Sequence, residues 1–360
     1  MAEVEDIRTL IEAIEDPLLH RTLADLEVVR DVRVGFRKTV DVVLASPLPE
    51  HPSRQALEQR VTETLAPHAK SVAVTFDLMS DEEREQLMAR LVPEKAVIGQ
   101  GATRTRVIGI ASGKGGVGKS SVASNLAVTL AAMGRSVGVI DADVWGFSIP
   151  KMMGAGPAPA VIHESIIPPE AFGVKVMSMD WFVGDEQAVI WRGPMLHKAI
   201  EQFLTDVFWD EPDFLLIDMP PGTGDIAISL SQFLPRAQIL VVTTPQATAQ
   251  RVAKRAALMA AQVNQEVMAV VENMAWFTGD DGKRYEIFGS GGGAALAAEL
   301  KVPLAAQIPL LPAMREGADS GKPVAVVAPD SDVAIAFREL AEKVIELRPR
   351  VRTHPELVIR

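Results

Sequence analysis

Eight consecutive residues constrain this chain more than any other stretch: Gly113-Lys114-Gly115-Gly116-Val117-Gly118-Lys119-Ser120. They follow an apolar run, Val107 to Ala111, that reads as a strand, and they open an amphipathic helical stretch containing Leu126 and Leu130. Glycines in such a turn let backbone N–H groups surround a polyphosphate at a helix N-terminus. The residues match the P-loop pattern, in which Lys119 contacts the β- and γ-phosphates and the Ser120 hydroxyl ligates magnesium. Gly113 through Ser121 are therefore the expected nucleotide-contacting set. A plain Gly-rich turn is the competing reading, and the coincidence of pattern, strand and helix disfavours it.

Further apolar runs alternate with helical stretches at Val137 to Ile140, Phe214 to Ile217, Ile239 to Thr243, Val267 to Val271 and Leu304 to Ile308. Strands apolar on both faces indicate a mostly parallel sheet covered on both sides, so the expected class is α/β. Ligands of such sheets sit at the carboxyl ends of the strands. Phe214-Leu215-Leu216-Ile217 ends in Asp218, as a Walker B carboxylate that orients the magnesium shell does. Asp141 and Asp143 end the strand beginning at Val137; Asp143 is the expected water-positioning residue and Asp141 the one nearer the metal. Turn chemistry alone also favours Asp there. Met219 to Asp225 has the composition of a loop that changes with the γ-phosphate, and for Asp225 a switch role and a simple helix cap stand equal.

Upstream, the pattern is that of a small α+β domain. Ile7, Leu10, Ile11 and Ile14 repeat at helical spacing, and Val28 to Val34 and Thr39 to Leu44 read as paired strands. Helices over 53–65 and 80–91, with Ser53 and Ser80 as caps, flank a strand over 71–76. The expected division is a domain over 1–92, a linker over 93–106, the P-loop domain over 107–347 and a tail over 348–360. The 36 Lys and Arg against 47 Asp and Glu give a net charge of -11, which argues against a nucleic acid partner held by bulk electrostatics. With no signal-like N-terminus and no apolar run of about 18 residues, no membrane partner is expected and the location reads as cytoplasmic.

Lys114 is a second lysine that the basic P-loop pattern does not require; a solvated side chain is its plain reading. The run KGGVGKS resembles the deviant Walker A motif of ATPases related to MinD, ParA and the nitrogenase iron protein. That resemblance implies a nucleotide-sandwich homodimer in which Lys114 reaches the partner's phosphates. The segments Asp141 to Gly146, Ala188 to Leu196, Phe214 to Asp225 and Val271 to Met274 narrow the resemblance to the Mrp/ApbC family of iron-sulfur cluster carrier ATPases, and the first 92 residues resemble the MIP18-like domain that many bacterial Mrp proteins carry. The family implies a Rossmann-like P-loop NTPase domain, binding of ATP and magnesium, slow hydrolysis, homodimerisation and delivery of clusters to apoproteins. It also implies that Asn273 reads the adenine; a turn-forming Asn is the alternative.

One departure stands beside the match. Many family members place a C-x-x-C pair between the Asn-Met segment and the following Gly-rich segment, and this chain has no cysteine at all. The interval is Ala275 to Phe288, with a hairpin-turn signal at Asp281-Gly282. In the small domain Pro49-Glu50-His51-Pro52 replaces the usual Gly-Cys-Pro. The histidines, mostly expected at the surface, show no metal-binding spacing, so no iron-sulfur ligand is assigned. The Gly289 to Gly293 run reads as a helix start. Trp145, Phe147, Met177, Met179, Trp181, Phe182, Trp191 and Met195 read as core, with an exposed client surface as the alternative. Three functions follow: a cluster carrier, a nucleotide-controlled adaptor for iron-sulfur assembly factors that holds no cluster, and, disfavoured, a ParA- or MinD-like positioning ATPase.

Overall fold

The computed structural model describes residues 2–36, 38–92, 98, 104–143, 146–182, 193–222, 232–263 and 265–349. Contacts divide the chain into two compact units, 1–94 with 161–165 and 95–160 with 166–360. The expected linker over 93–106 and tail over 348–360 lie mostly outside the described residues.

In the first unit, helix α1 (Ala2–Glu12) and the short α2 (Leu23–Leu26) precede strands β1 (Val29–Val34) and β2 (Thr39–Ser46), then α3 (Arg54–Leu65), β3 (Ser71–Leu78) and α4 (Asp81–Leu91). β1 and β2 pair antiparallel, and β3 joins β2 in parallel. The core is aliphatic, with Ile11, Leu23, Val42, Leu44, Val61 and Leu65 fully buried. Ser80 caps α4 in a reciprocal capping box with Glu83. Ser53 does not cap α3: its backbone is not in the extended conformation that a capping side chain needs, and its N–H donates to His51 Nδ1 at 3.2 Å. His51 departs from the expected surface placement. It is buried with its Nε2 3.7 Å from Asp16 Oδ2, and burial holds its pKa below the ordinary imidazole value against the pull of Asp16.

Beyond the first 94 residues the chain runs through β4 (Arg106–Ser112), α5 (Lys119–Ala132), β5 (Val137–Asp141), α6 (Ile149–Met153), the short β6 (Ala160–Ile162), β7 (Ser165–Ile167) and β8 (Glu170–Ala171), β9 (Val174–Ser178), α7 (Gly193–Thr205), β10 (Phe214–Asp218) and β11 (Gln238–Thr243), all in the second unit except residues 161–165. It continues with α8 (Ala247–Gln262), β12 (Glu266–Thr278), β13 (Arg284–Tyr285), α9 (Gly292–Leu300), β14 (Leu304–Leu310), α10 (Pro312–Asp319), α11 (Val324–Val327) and α12 (Asp332–Glu346). The sheet order is β13-β12-β11-β4-β10-β5-β9-β8, with β14 also on β12. Its inner strands are all parallel, and only the short edges β13 and β8 pair antiparallel.

Period-two alternation explains the layers. Ile108, Ile110, Val139, Leu216, Leu240 and Val242 face one core with α5 and α12, while Val107, Ile140, Leu215, Ile217 and Val241 face another with α7, α8 and α9. A parallel sheet covered on both faces follows. Met177 and Met179 are core residues, whereas Phe182 and Met195 are about half exposed. Trp145 and Trp191 lie outside the described residues. Among the described residues no helix is long and apolar enough to cross a membrane.

Candidate phosphate site

β10 lies between β4 and β5, and the register sets Asp218 beside Ile110 on one side and Asp141 on the other. Two carboxylates thus end neighbouring strands, both fully buried, at the edge from which the 113–118 loop leaves β4. Lys119, the first residue of α5, brings its Nζ to 2.5 Å from Asp218 Oδ1 and 3.7 Å from Asp143 Oδ2. The Ser120 hydroxyl donates to Asp218 Oδ2 at 2.6 Å. Asp141 accepts the N–H groups of Ser148 and Ile149, both at 3.0 Å, and that of Asp143 at 3.3 Å.

Among the described residues the buried carboxylates of Asp141, Asp143 and Asp218 outnumber the buried ammonium of Lys119 that they face. Burial, reinforced by the neighbouring Asp218, pushes Asp141 up to about 7 despite three backbone donors. Burial also raises Asp218, opposed by Lys119 and Ser120. A divalent cation would relieve that excess, and hard oxygens with a hydroxyl are the donors magnesium takes. Among the described residues no three His, Asp or Glu side chains converge on one point, so a metal here would depend on Ser120, a carboxylate and phosphate oxygens rather than on an all-protein cage.

The loop has room for phosphate. A Cβ at Gly115 or Gly116 would meet nothing within 4 Å, while one at Gly118 would stand 2.3 Å from Asn273 Nδ2. Asn273, buried on β12, donates from Nδ2 to the Val117 carbonyl at 2.8 Å and so braces the loop. Ser121 sits in the first turn of α5, its carbonyl accepting Asn125 Nδ2 at 2.9 Å. Gly222 N–H donates to the Ser112 carbonyl at 2.9 Å, tying the segment after β10 to the loop strand. Thr223 to Asp225 and Ala188 to Arg192 lie outside the described residues.

Two features escape a reading of the sequence. Lys114 Nζ donates to Gln246 Oε1 at 2.9 Å, and Gln246 is the residue that precedes α8. Gly113 seats directly on that helix, since a Cβ there would come within 2.1 Å of Ala253 N. The one local signal is the place of Gln246, three residues beyond the end of β11, at the same strand edge as the carboxylates.

A family model described as NUBPL iron-transfer P-loop NTPase matches residues 103–345, and one described as iron-sulfur cluster assembly protein matches residues 4–76. The chain belongs to the NUBPL iron-transfer P-loop NTPase family. It is 43% identical over 348 residues to the iron-sulfur cluster carrier protein of Mycobacterium bovis, covering 93% of this chain and 91% of that protein. The iron-sulfur cluster carrier protein of Bacillus subtilis is 39% identical, with 86% and 89% covered. Among solved structures, the ADP complex of a nucleotide-binding protein from Archaeoglobus fulgidus is 33% identical with a TM-score of 0.56, covering 72% of this chain and 97% of that one. The cell division ATPase MinD of Pyrococcus furiosus is 27% identical with a TM-score of 0.54, covering 68% and 99%. The resemblance drawn from KGGVGKS and FLLIDMPPGTGD and the Rossmann-like fold class are both borne out.

Proposed function

We propose that this P-loop NTPase binds and hydrolyses ATP as a nucleotide-sandwich homodimer and uses that cycle to deliver iron-sulfur clusters to apoproteins in the cytoplasm. The observation that carries the nucleotide half is the convergence of Lys119 and Ser120 on Asp218 beneath an open glycine loop. The iron-transfer family supports the delivery half. In this reading the residues over 1–92 form an assembly domain joined to the ATPase through 93–106.

When ATP enters, the Lys119 ammonium turns from Asp218 and Asp143 to the β- and γ-phosphates, and the loop amides of Gly113 to Ser121 take the remaining oxygens. Ser120 and Asp218, with Asp141 behind them, would hold magnesium, which supplies charge neutralisation at the phosphates. Asp143, freed from Lys119, accepts a hydrogen bond from the attacking water and orients it. Lys114 leaves Gln246 and crosses to the partner's phosphates. Asn273, anchored on the Val117 carbonyl, keeps the loop in place and reads the adenine.

The cargo side has a different standing. An iron-sulfur cluster is held by thiolates or, less often, imidazoles, and this chain has no cysteine. The residues present do not fit a cluster. That single observation favours a second reading, an adaptor whose nucleotide state controls assembly factors that themselves hold the cluster. Anaerobic incubation with iron and sulfide, followed by iron quantification and visible spectroscopy, separates the two. Stoichiometric stable cluster supports direct carriage; no cluster, with ATP-dependent binding of a cluster-loaded assembly protein, supports the adaptor.

A further inference from the structure

On the face of α8 turned away from the sheet, Arg251, Lys254, Arg255 and Leu258 follow one another at helical spacing, so they form a single stripe. α9 packs alongside, and between the two helices runs an open groove of about 450 Å³ whose other wall includes Leu296 and Glu299. Lys254 pairs with Glu299. The guanidinium groups of Arg251 and Arg255 are exposed and make no ion pair or hydrogen bond with another described residue. Leu258, 48% exposed, closes the stripe with an apolar end. A groove with three cations and one anion therefore stands on a chain whose net charge is -11.

The same helix is wired to the phosphate loop. Its backbone at Val252 and Ala253 is the seat of Gly113, and Gln246 at its start holds Lys114. A shift or stiffening of α8 therefore reaches the loop without an intermediate element.

We infer that the groove between α8 and α9 docks an acidic, amphipathic segment of a partner protein, and that its occupancy is felt at the phosphate loop. Arg251 and Arg255, unpaired among the described residues, supply forked donors for carboxylates, and the exposed Leu258 receives an apolar side chain. A nucleic acid strand fits less well: the cations occupy one short helical stripe, Glu299 lies among them, and phosphate-tracking surfaces need a longer positive field. The docking half stands on the groove alone; the coupling half rests on the nucleotide reading proposed above.

The test uses the full chain and a fluorescein-labelled helical peptide of glutamate and leucine, followed by fluorescence anisotropy. Wild type is expected to bind it, more weakly as salt rises. The double variant Arg251→Glu/Arg255→Glu should lose tenfold or more in affinity while its circular dichroism stays unchanged; Arg251→Gln/Arg255→Gln serves if charge reversal prevents folding. No binding by wild type, equal binding by a folded variant, or tighter binding of a single-stranded oligonucleotide at the same salt would overturn the docking site. With saturating ATP and magnesium the peptide affinity should change by about fivefold or more, because coupling between two sites is reciprocal. An unchanged affinity in a chain that binds ATP overturns the coupling, and peptide binding by a chain that fails to bind ATP counts against the nucleotide reading alone.

Discussion

Strand β12 serves two regions of opposite character. Midway along it, Asn273 is buried and braces the phosphate loop through the Val117 carbonyl. A few residues on, the strand leaves the core and turns into the β12–β13 hairpin, where Phe277 pairs with Tyr285 and Thr278 with Arg284. The first region gathers buried charge: a lysine, a hydroxyl and three carboxylates within one strand edge. The second is built for surface life, with Arg284 stacked over Trp276 at 4.3 Å, the Tyr285 hydroxyl donating to Asp281 at 2.9 Å, and Gly282 at φ 72° in the turn. Buried charge is costly unless a ligand uses it, so its presence marks function, whereas the hairpin's charged and hydroxyl groups pair with one another at the surface. The hairpin occupies the interval where many members of the resembling family carry a C-x-x-C pair. In this chain that interval carries no cysteine, while the buried lysine, hydroxyl and carboxylates of the first region are all present.

The largest break in that contrast should come from Asp143. Asp143→Asn is expected to slow phosphate release by about 10²- to 10⁴-fold while ATP binding persists; a full rate in a phosphate-release assay removes Asp143 from the water-positioning role. Next is pH. Folded Asp141 keeps its proton up to about 7, whereas an unfolded aspartate releases it near its ordinary value of about 3.9. Between those values the folded state carries the extra proton, so stability falls as pH rises and levels off above about 7, by on the order of a few kcal/mol. Urea unfolding without nucleotide should show this slope, and Asp141→Asn should make it shallower, the raised Asp218 contributing the rest; an unchanged slope in the variant contradicts the assignment.

Lys114 should give a smaller effect. A charge-assisted contact made across a dimer contributes about 1.5 to 3 kcal/mol, so Lys114→Ala should lower turnover roughly tenfold or more and abolish its rise with protein concentration. A wild-type rate independent of concentration where monomer and dimer interconvert would exclude the trans role. Smallest is the hairpin: Gly282→Ala places a side chain at positive φ and should cost about 1 kcal/mol of stability. ATP affinity measured on the same variant should not move, and if it does, the two regions are not separable.

Much of the fold and of the phosphate site is legible in the sequence, for reasons tied to locality. The strand–loop–helix around Gly113 and the alternation in Phe214 to Ile217 are short-range patterns, and the strand edge they share follows from parallel pairing. β9 is not legible in this way, because Val174–Ser178 is interrupted by Lys175, whose ammonium reaches the carbonyls of Phe208 and Trp209 far along the chain. The failed cap at Ser53 comes from its backbone at φ -100°, ψ 17°, which the residue type alone does not specify. The grip of Gln246 on Lys114 spans 132 positions and belongs to the fold, not to any local pattern.

The central claim is that the loop at Gly113 to Ser120 and the buried Asp218 hold a nucleotide's phosphates, and calorimetric titration of ATP with magnesium into the full chain measures that directly. Wild type should bind saturably, and Lys119→Ala should bind about tenfold more weakly or worse, as expected from losing charge-assisted contacts of roughly 1.5 to 3 kcal/mol each. A folded Lys119→Ala chain that binds ATP as tightly as wild type would contradict it.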